Sequence, residues 1–150
     1  MALKYIALAS LALVYSVIFI GGYVSAAGLG LSCPDWPLCH GQLLPKEDFL
    51  IEWVHRFIAA STGVAVISTA VLAWFHRKSE SKIRLTSIMA AILVITQITL
   101  GFIVIEAKLH ALLVAIHLGI GVLLFTSVLL TALFAYRIDK QTRVEANKKF

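Results

Sequence analysis

Leu109–Tyr136 reads LHALLVAIHLGIGVLLFTSVLLTALFAY and contains no Asp, Glu, Lys or Arg. A transmembrane helix needs about 20 consecutive apolar residues, at about 1.5 Å of rise each, to cross the hydrocarbon core of a bilayer. This stretch is longer than that. Lipid offers the backbone no hydrogen-bond partners, so a spanning segment must bond to itself, and an isolated one does so as a helix. Working outward, three more stretches are free of charge over a spanning length: Tyr5–Val24, Phe57–Phe75 (extended to about Leu50) and Leu85–Ile105. The expected fold is an all-α integral membrane protein, a single four-transmembrane-helix bundle over residues 1–150. Its helices are expected at about 5–24, 50–75, 85–105 and 109–136, with a loop at 25–49 and a tail at 137–150.

The composition agrees, at 60% hydrophobic and 14% charged residues, which lies outside the range of soluble domains. The net charge of +5 is not read as a nucleic-acid signal, because of where the charge falls. Alternating spans place Lys4, Arg77, Lys78, Lys82, Arg84, Arg137, Lys140, Arg143, Lys148 and Lys149 on one side of the membrane. The other side keeps Lys46 and Lys108, with Arg56 near that end of the second helix. This positive-inside asymmetry predicts a multi-pass cell-membrane protein with both termini cytoplasmic and the 25–49 loop outside. Tyr5–Val24 is read as a retained span rather than a cleaved signal, being long for a signal's apolar core.

The outer loop is too long for a simple connection. Gly28, Gly30, Pro34, Pro37 and Pro45 exclude regular helix and favour a turn-rich path. Cys33 and Cys39 would lie on the oxidising face, where a disulfide is permitted and expected, as a structural staple or a redox pair. Zinc is the weaker choice, since Cys33, Cys39 and His40 offer too few ligands at poor spacing.

Ionisable residues inside a bilayer are rare and mark functional sites by default. Counting inward from the outer surface, His55 is roughly 6 Å deep and His117 roughly 12 Å, within boundary error of one another. Two imidazoles from different helices at similar depth can bracket a metal-centred flat cofactor, and axial haem ligation is the reading preferred over interhelical hydrogen bonding. Ala59 and Thr62 follow His55 inward, and Gly119 and Gly121 follow His117, as small neighbours for a ring face. Gly21–Gly22, near the outer end of the first helix, would admit the close approach of a helix or flat ligand. Glu52 shares a helical face with His55 and Arg56. Glu52 and Arg56 read either as an interfacial ion pair or with Arg56 holding a propionate carboxylate.

The run Gly28-Leu29-Gly30-Leu31-Ser32-Cys33-Pro34-Asp35-Trp36-Pro37-Leu38-Cys39, followed by Glu52-Trp53-Val54-His55-Arg56, resembles the haem A synthase family of cytochrome oxidase assembly. Gln97-x-x-Leu100-Gly101 and His117-Leu118 resemble that family's second histidine region. The resemblance implies oxidation of the C8 methyl of haem O to the formyl of haem A, by two successive hydroxylations within the membrane. It implies His55 and His117 as haem ligands, Glu52 as the acid beside the substrate methyl, and Cys33 and Cys39 as the outer-loop pair. Haem b is the implied cofactor and haem O the substrate. Typical members have eight helices in two related halves, and this chain corresponds to one half. A homo-oligomer is therefore expected, with haem O synthase and cytochrome oxidase subunits as possible partners. Two other readings stay open: a bis-histidine b-type cytochrome serving electron transfer, and a membrane disulfide/quinone oxidoreductase. The latter usually needs more than the two cysteines present.

Overall fold

A computed structural model of the chain describes residues 2–33, 35–36, 38–42, 46–75 and 81–147, with the side chains of 48, 145 and 146 left out. Pro34, Pro37, Pro45, the 76–80 turn with His76, Arg77 and Lys78, and Lys148 and Lys149 lie outside the described residues. Among the described residues there are four α-helices, α1 (Ala2–Ala26), α2 (Leu50–Phe75), α3 (Ser81–Glu106) and α4 (Ala111–Asn147), with a single 3-10 turn at Glu47–Phe49 before α2. All four are long and apolar enough to cross a membrane. They close into a ring, with α1 on α2 and α4, and α3 on α2 and α4. This is the expected all-α, four-helix membrane bundle.

α1 and α3 begin a few residues before the expected spans, at Ala2 and Ser81, and the largest difference is at the end of α4. The apolar run ends at Tyr136, yet α4 continues as helix to Asn147. No Gly or Pro interrupts 137–147, and Asp139 pairs with Arg143 one turn on at 3.1 Å. The end of an apolar run marks the edge of the hydrocarbon, and a helix stops only where something breaks it. Lys4 at the start of α1 reaches Asp139 at 2.8 Å and ties the two helices together at this end.

The core changes character along the bundle axis. At the end holding Lys4 and Asp139, Leu3, Ala7, Ala73, Ile83, Ala132 and Ala135 pack together. The middle is filled by Val14, Val66, Ala90, Val94, Leu124 and Val128. Small side chains let helices approach closely, which matters in lipid because dispersion contacts rather than water exclusion drive association. Hydroxyls lie among them: Ser10 to Thr69 at 3.1 Å and Thr131 to Thr86 at 2.9 Å. Thr69 and Thr131 also donate to carbonyls one turn back in their own helices, so these hydroxyls are satisfied without water. Toward the other end the apolar filling stops. The next layers hold His55, Gln97, His117 and Glu52.

Candidate haem site beneath a disulfide-closed loop

The loop begins where α1 is capped. Gly28 takes φ +69°, and Leu29 N–H reaches back to the Val24 carbonyl at 3.0 Å, a left-handed helix end of the Schellman kind. Further on, Cys39 and Gln42 face each other across His40 and Gly41, which have φ of 54° and 70°. Positive φ at both central residues makes this a tight reverse turn of the type I′ kind. The Asp35 carboxylate holds it, accepting N–H from His40 at 2.6 Å and Gly41 at 2.7 Å. Those bonds, Gly41's foremost, keep the Asp35 carboxyl below the ordinary carboxylate range. Cys33 and Cys39 are bonded through their sulfurs and fully buried.

Glu52, in the first turn of α2, fastens this loop to the bundle. It is only 3% exposed. One carboxylate oxygen accepts from the Ser32 hydroxyl at 2.8 Å and from Cys33 N–H at 2.9 Å. The other accepts from Arg56 at 2.5 Å. Arg56 in turn donates to the main-chain oxygens of Cys33, Asp35 and Leu38. Of the two readings of Glu52 and Arg56, the ion pair is present, but it is buried beneath the loop rather than laid on a surface. Four of the five guanidinium N–H donors are spent in this way, and the buried Nε has no hydrogen-bond partner. A carboxylate arriving from a ligand would therefore meet Nε alone. The opposite wall comes from the α3–α4 turn and the loop-side end of α3. Leu109 packs on Gly30, where a Cβ would fall 3.1 Å from its side chain, and Trp36 meets Phe102 edge to face at 5.6 Å.

Below the loop, α2 presents His55 and α4 presents His117. The Nδ1 atoms of both are buried without a hydrogen-bond partner. Buried polar atoms are nearly always satisfied, so two orphaned imidazole nitrogens in one layer are a mark of a site built for a ligand. His55 lies against α1 at Gly21, where a Cβ would fall 2.7 Å from Cε1. No side chain can be added there without moving the ring. His117 lies against α3 at Gly101, with 3.6 Å between its Cε1 and the Cβ position. Gln97, also on α3, donates from Nε2 to the His117 carbonyl at 2.6 Å.

The structure thus brings together Glu52, Arg56, Cys33 and Cys39 in one network and sets His55 and His117 in the layer beneath. The small neighbours differ from those drawn from helical spacing. Gly119 has nothing near it, and Gly121 makes room for Gln97 rather than for a ring. Gly21, on a different helix, is the glycine that His55 requires. Ser32 and Gln97 stand inside the stretches that carry the family resemblance, but neither is assigned a role in the site from sequence. Two imidazoles from different helices, each set against a glycine of a neighbouring helix, suit axial ligation of a haem iron. Among the described residues, no group of three or more His, Cys, Asp or Glu could hold a bare metal ion.

The family model described as cytochrome oxidase assembly protein matches residues 4–49 and 45–150. Haem A synthase of Bacillus licheniformis is 32% identical over 133 residues, covering 87% of this chain and 44% of that protein. The Bacillus pumilus haem A synthase is 36% identical over 131 residues, covering 83% and 42%. That of Listeria welshimeri is 30% identical over 130 residues, covering 83% and 43%. The chain spans less than half the length of these curated relatives. With both halves of its loop-and-histidine pattern inside the matched residues, this multi-pass membrane chain belongs to the haem A synthase family of cytochrome oxidase assembly proteins.

Proposed function

We propose that the chain acts as a haem A synthase, oxidising the C8 methyl of haem O to the formyl of haem A, with His55 and His117 as axial ligands to haem iron. The observation that carries this reading is the pairing of two part-buried imidazoles, from α2 and α4, each set against a glycine of a neighbouring helix in the layer beneath the loop held by Glu52. A bound haem, b-type as cofactor or O-type as substrate, supplies the iron-centred redox chemistry. The chain supplies placement. His55 and His117 fix the ring from opposite helices, and Gly21 keeps the space that His55 needs. Glu52 stands one helical turn outward of His55. Its carboxylate stabilises positive charge developing beside the substrate methyl, most strongly where water is excluded, and takes up the proton released. Arg56 holds the loop down as a cover, and the Cys33–Cys39 disulfide closes that cover.

In this reading the basic residues are cytoplasmic and the site faces outward. A homo-oligomer supplies a second histidine pair, so that one copy holds substrate and another holds haem b. Haem O synthase and cytochrome oxidase subunits are the partners expected on either side of the reaction. The test is the spectrum of the purified protein together with chromatography of its extracted haem. Low-spin haem is expected, with types O and A beside type B, and His55→Ala or His117→Ala should give a high-spin spectrum or haem loss. A haem-free protein, or unchanged spectra in both variants, refutes the assignment. One observation favours a second reading, a bis-histidine b-type cytochrome: both oxygens of Glu52 already serve the loop. Haem O left unconverted by a protein that holds low-spin haem b would select it.

A further inference from the structure

Gln97 lies in the histidine layer without a part in the roles above. It is 9% exposed. Its Nε2 donates to the main-chain oxygen of His117, and this fixes the sense of the amide, because the reversed amide would set oxygen against oxygen. The Oε1 atom is consequently the end left over, and it is buried without a partner. So is Nδ1 of His117, the residue to which Gln97 is already fastened. The fit around this contact is specific. A Cβ at Gly121, one turn along α4, would fall 3.2 Å from Gln97 Nε2. Gly101, one turn along α3 from Gln97, flanks the His117 ring.

The two orphaned atoms are chemically complementary. An amide oxygen can only accept. A neutral imidazole that gives Nε2 to a metal carries its proton on Nδ1 and needs an acceptor, and such partners orient the ring and raise its basicity. We propose that Gln97 is a positioning residue whose Oε1 receives the Nδ1 proton of His117 when Nε2 of that ring ligates haem iron. This rests on the haem-ligand reading given above. A purely structural brace between α3 and α4 would need only the Nε2 bond.

The midpoint potential of the bound haem separates these cases, measured by redox titration of the full-length, haem-loaded protein. Removing the acceptor makes His117 a weaker electron donor and disfavours ferric iron. Gln97→Met should therefore raise the potential, while Gln97→Glu, which keeps an acceptor, should leave it at or below the parent value. An unchanged potential in Gln97→Met, or a rise in both variants, overturns the proposal while a low-spin parent spectrum leaves the haem reading standing. A parent protein without haem overturns both. Should Gln97→Met fail to accumulate, Gln97→Leu, likewise without an acceptor, takes its place: a raised potential supports the role, and an unchanged one ends it.

Discussion

The two ends of the bundle solve the same problem in opposite ways. Both bury polar side chains in an apolar setting. At the Lys4–Asp139 end and in the middle, hydroxyls of Ser10, Thr69 and Thr131 bond to each other or to carbonyls of their own helices, and the helices close around them, the exception being the buried Nε of Arg84 at the start of α3. At the loop end, Glu52 and Arg56 bond mainly outside their own helix, to a loop some 20 residues earlier in the chain, and His55, His117 and Gln97 keep unfilled atoms. The first pattern can only hold helices together. The second leaves valence for something that is not protein, under a cover that depends on one carboxylate.

The sharpest way to break this contrast is Glu52→Ala. Removing one member of a buried, hydrogen-bonded charge pair costs about 3–5 kcal/mol. Here the loss falls on the loop rather than the bundle. Hydrogen exchange and proteolysis should show 29–42 opening while α1–α4 stay helical. Glu52→Gln keeps the shape and removes the charge, and it should leave haem bound while haem O accumulates in cells at matched protein level. Near-normal haem A in that variant would end the catalytic role of Glu52.

Gly21→Ala tests whether the layer below is as tightly set. Its new methyl would fall 2.7 Å from His55 Cε1, whereas a methyl at Gly22 would meet nothing within 4 Å. Overpacking of this kind typically costs about 1–3 kcal/mol. Gly21→Ala should perturb the haem spectrum and Gly22→Ala should not; equal spectra would mean that His55 does not depend on α1.

At the opposite end, effects should be smaller. Ser10→Ala removes a buried hydroxyl pair to Thr69, and interhelical bonds in membranes average about 0.6 kcal/mol. Thermal stability should drop slightly, with the haem spectrum unchanged. A spectral change would erase the distinction between the two ends.

The smallest effect is a pH dependence of the loop. The Asp35 carboxyl is held below its ordinary range by the N–H groups of Gly41 and His40. A depressed carboxylate contributes stability that is present above its unfolded value and is lost as pH falls through its folded value. Amide exchange at His40 and Gly41, corrected for intrinsic rates, should rise only under acid conditions, below the usual carboxylate range. Asp35→Asn should abolish that rise.

Much of this was legible in the sequence because the bilayer imposes a simple rule. Charge-free runs locate spans, and depth counted along a helix puts His55 and His117 in the same region. Helical spacing, however, finds neighbours only within one helix. It offered Ala59, Thr62, Gly119 and Gly121 as the small residues near the rings, whereas the glycine under His55 is on α1. The hold of Glu52 on Ser32 and the Cys33 amide was hidden for a related reason. It depends on a loop whose path turns on positive-φ residues such as His40, and no periodicity encodes that path. Where α4 ends was also hidden, since hydropathy reports the edge of the lipid and not the end of a helix.

The contact between Lys4 and Asp139 joins residues 135 apart in the chain. It closes a ring in which α1 and α4 are neighbours, so α1 must wait for α4, which is made later, before its second flank is covered. Through that interval α1 rests on α2 with one side open to lipid, and only completed synthesis of α4 can latch it. A chain cut short within α4 would leave the ring unclosed and α1 without its latch.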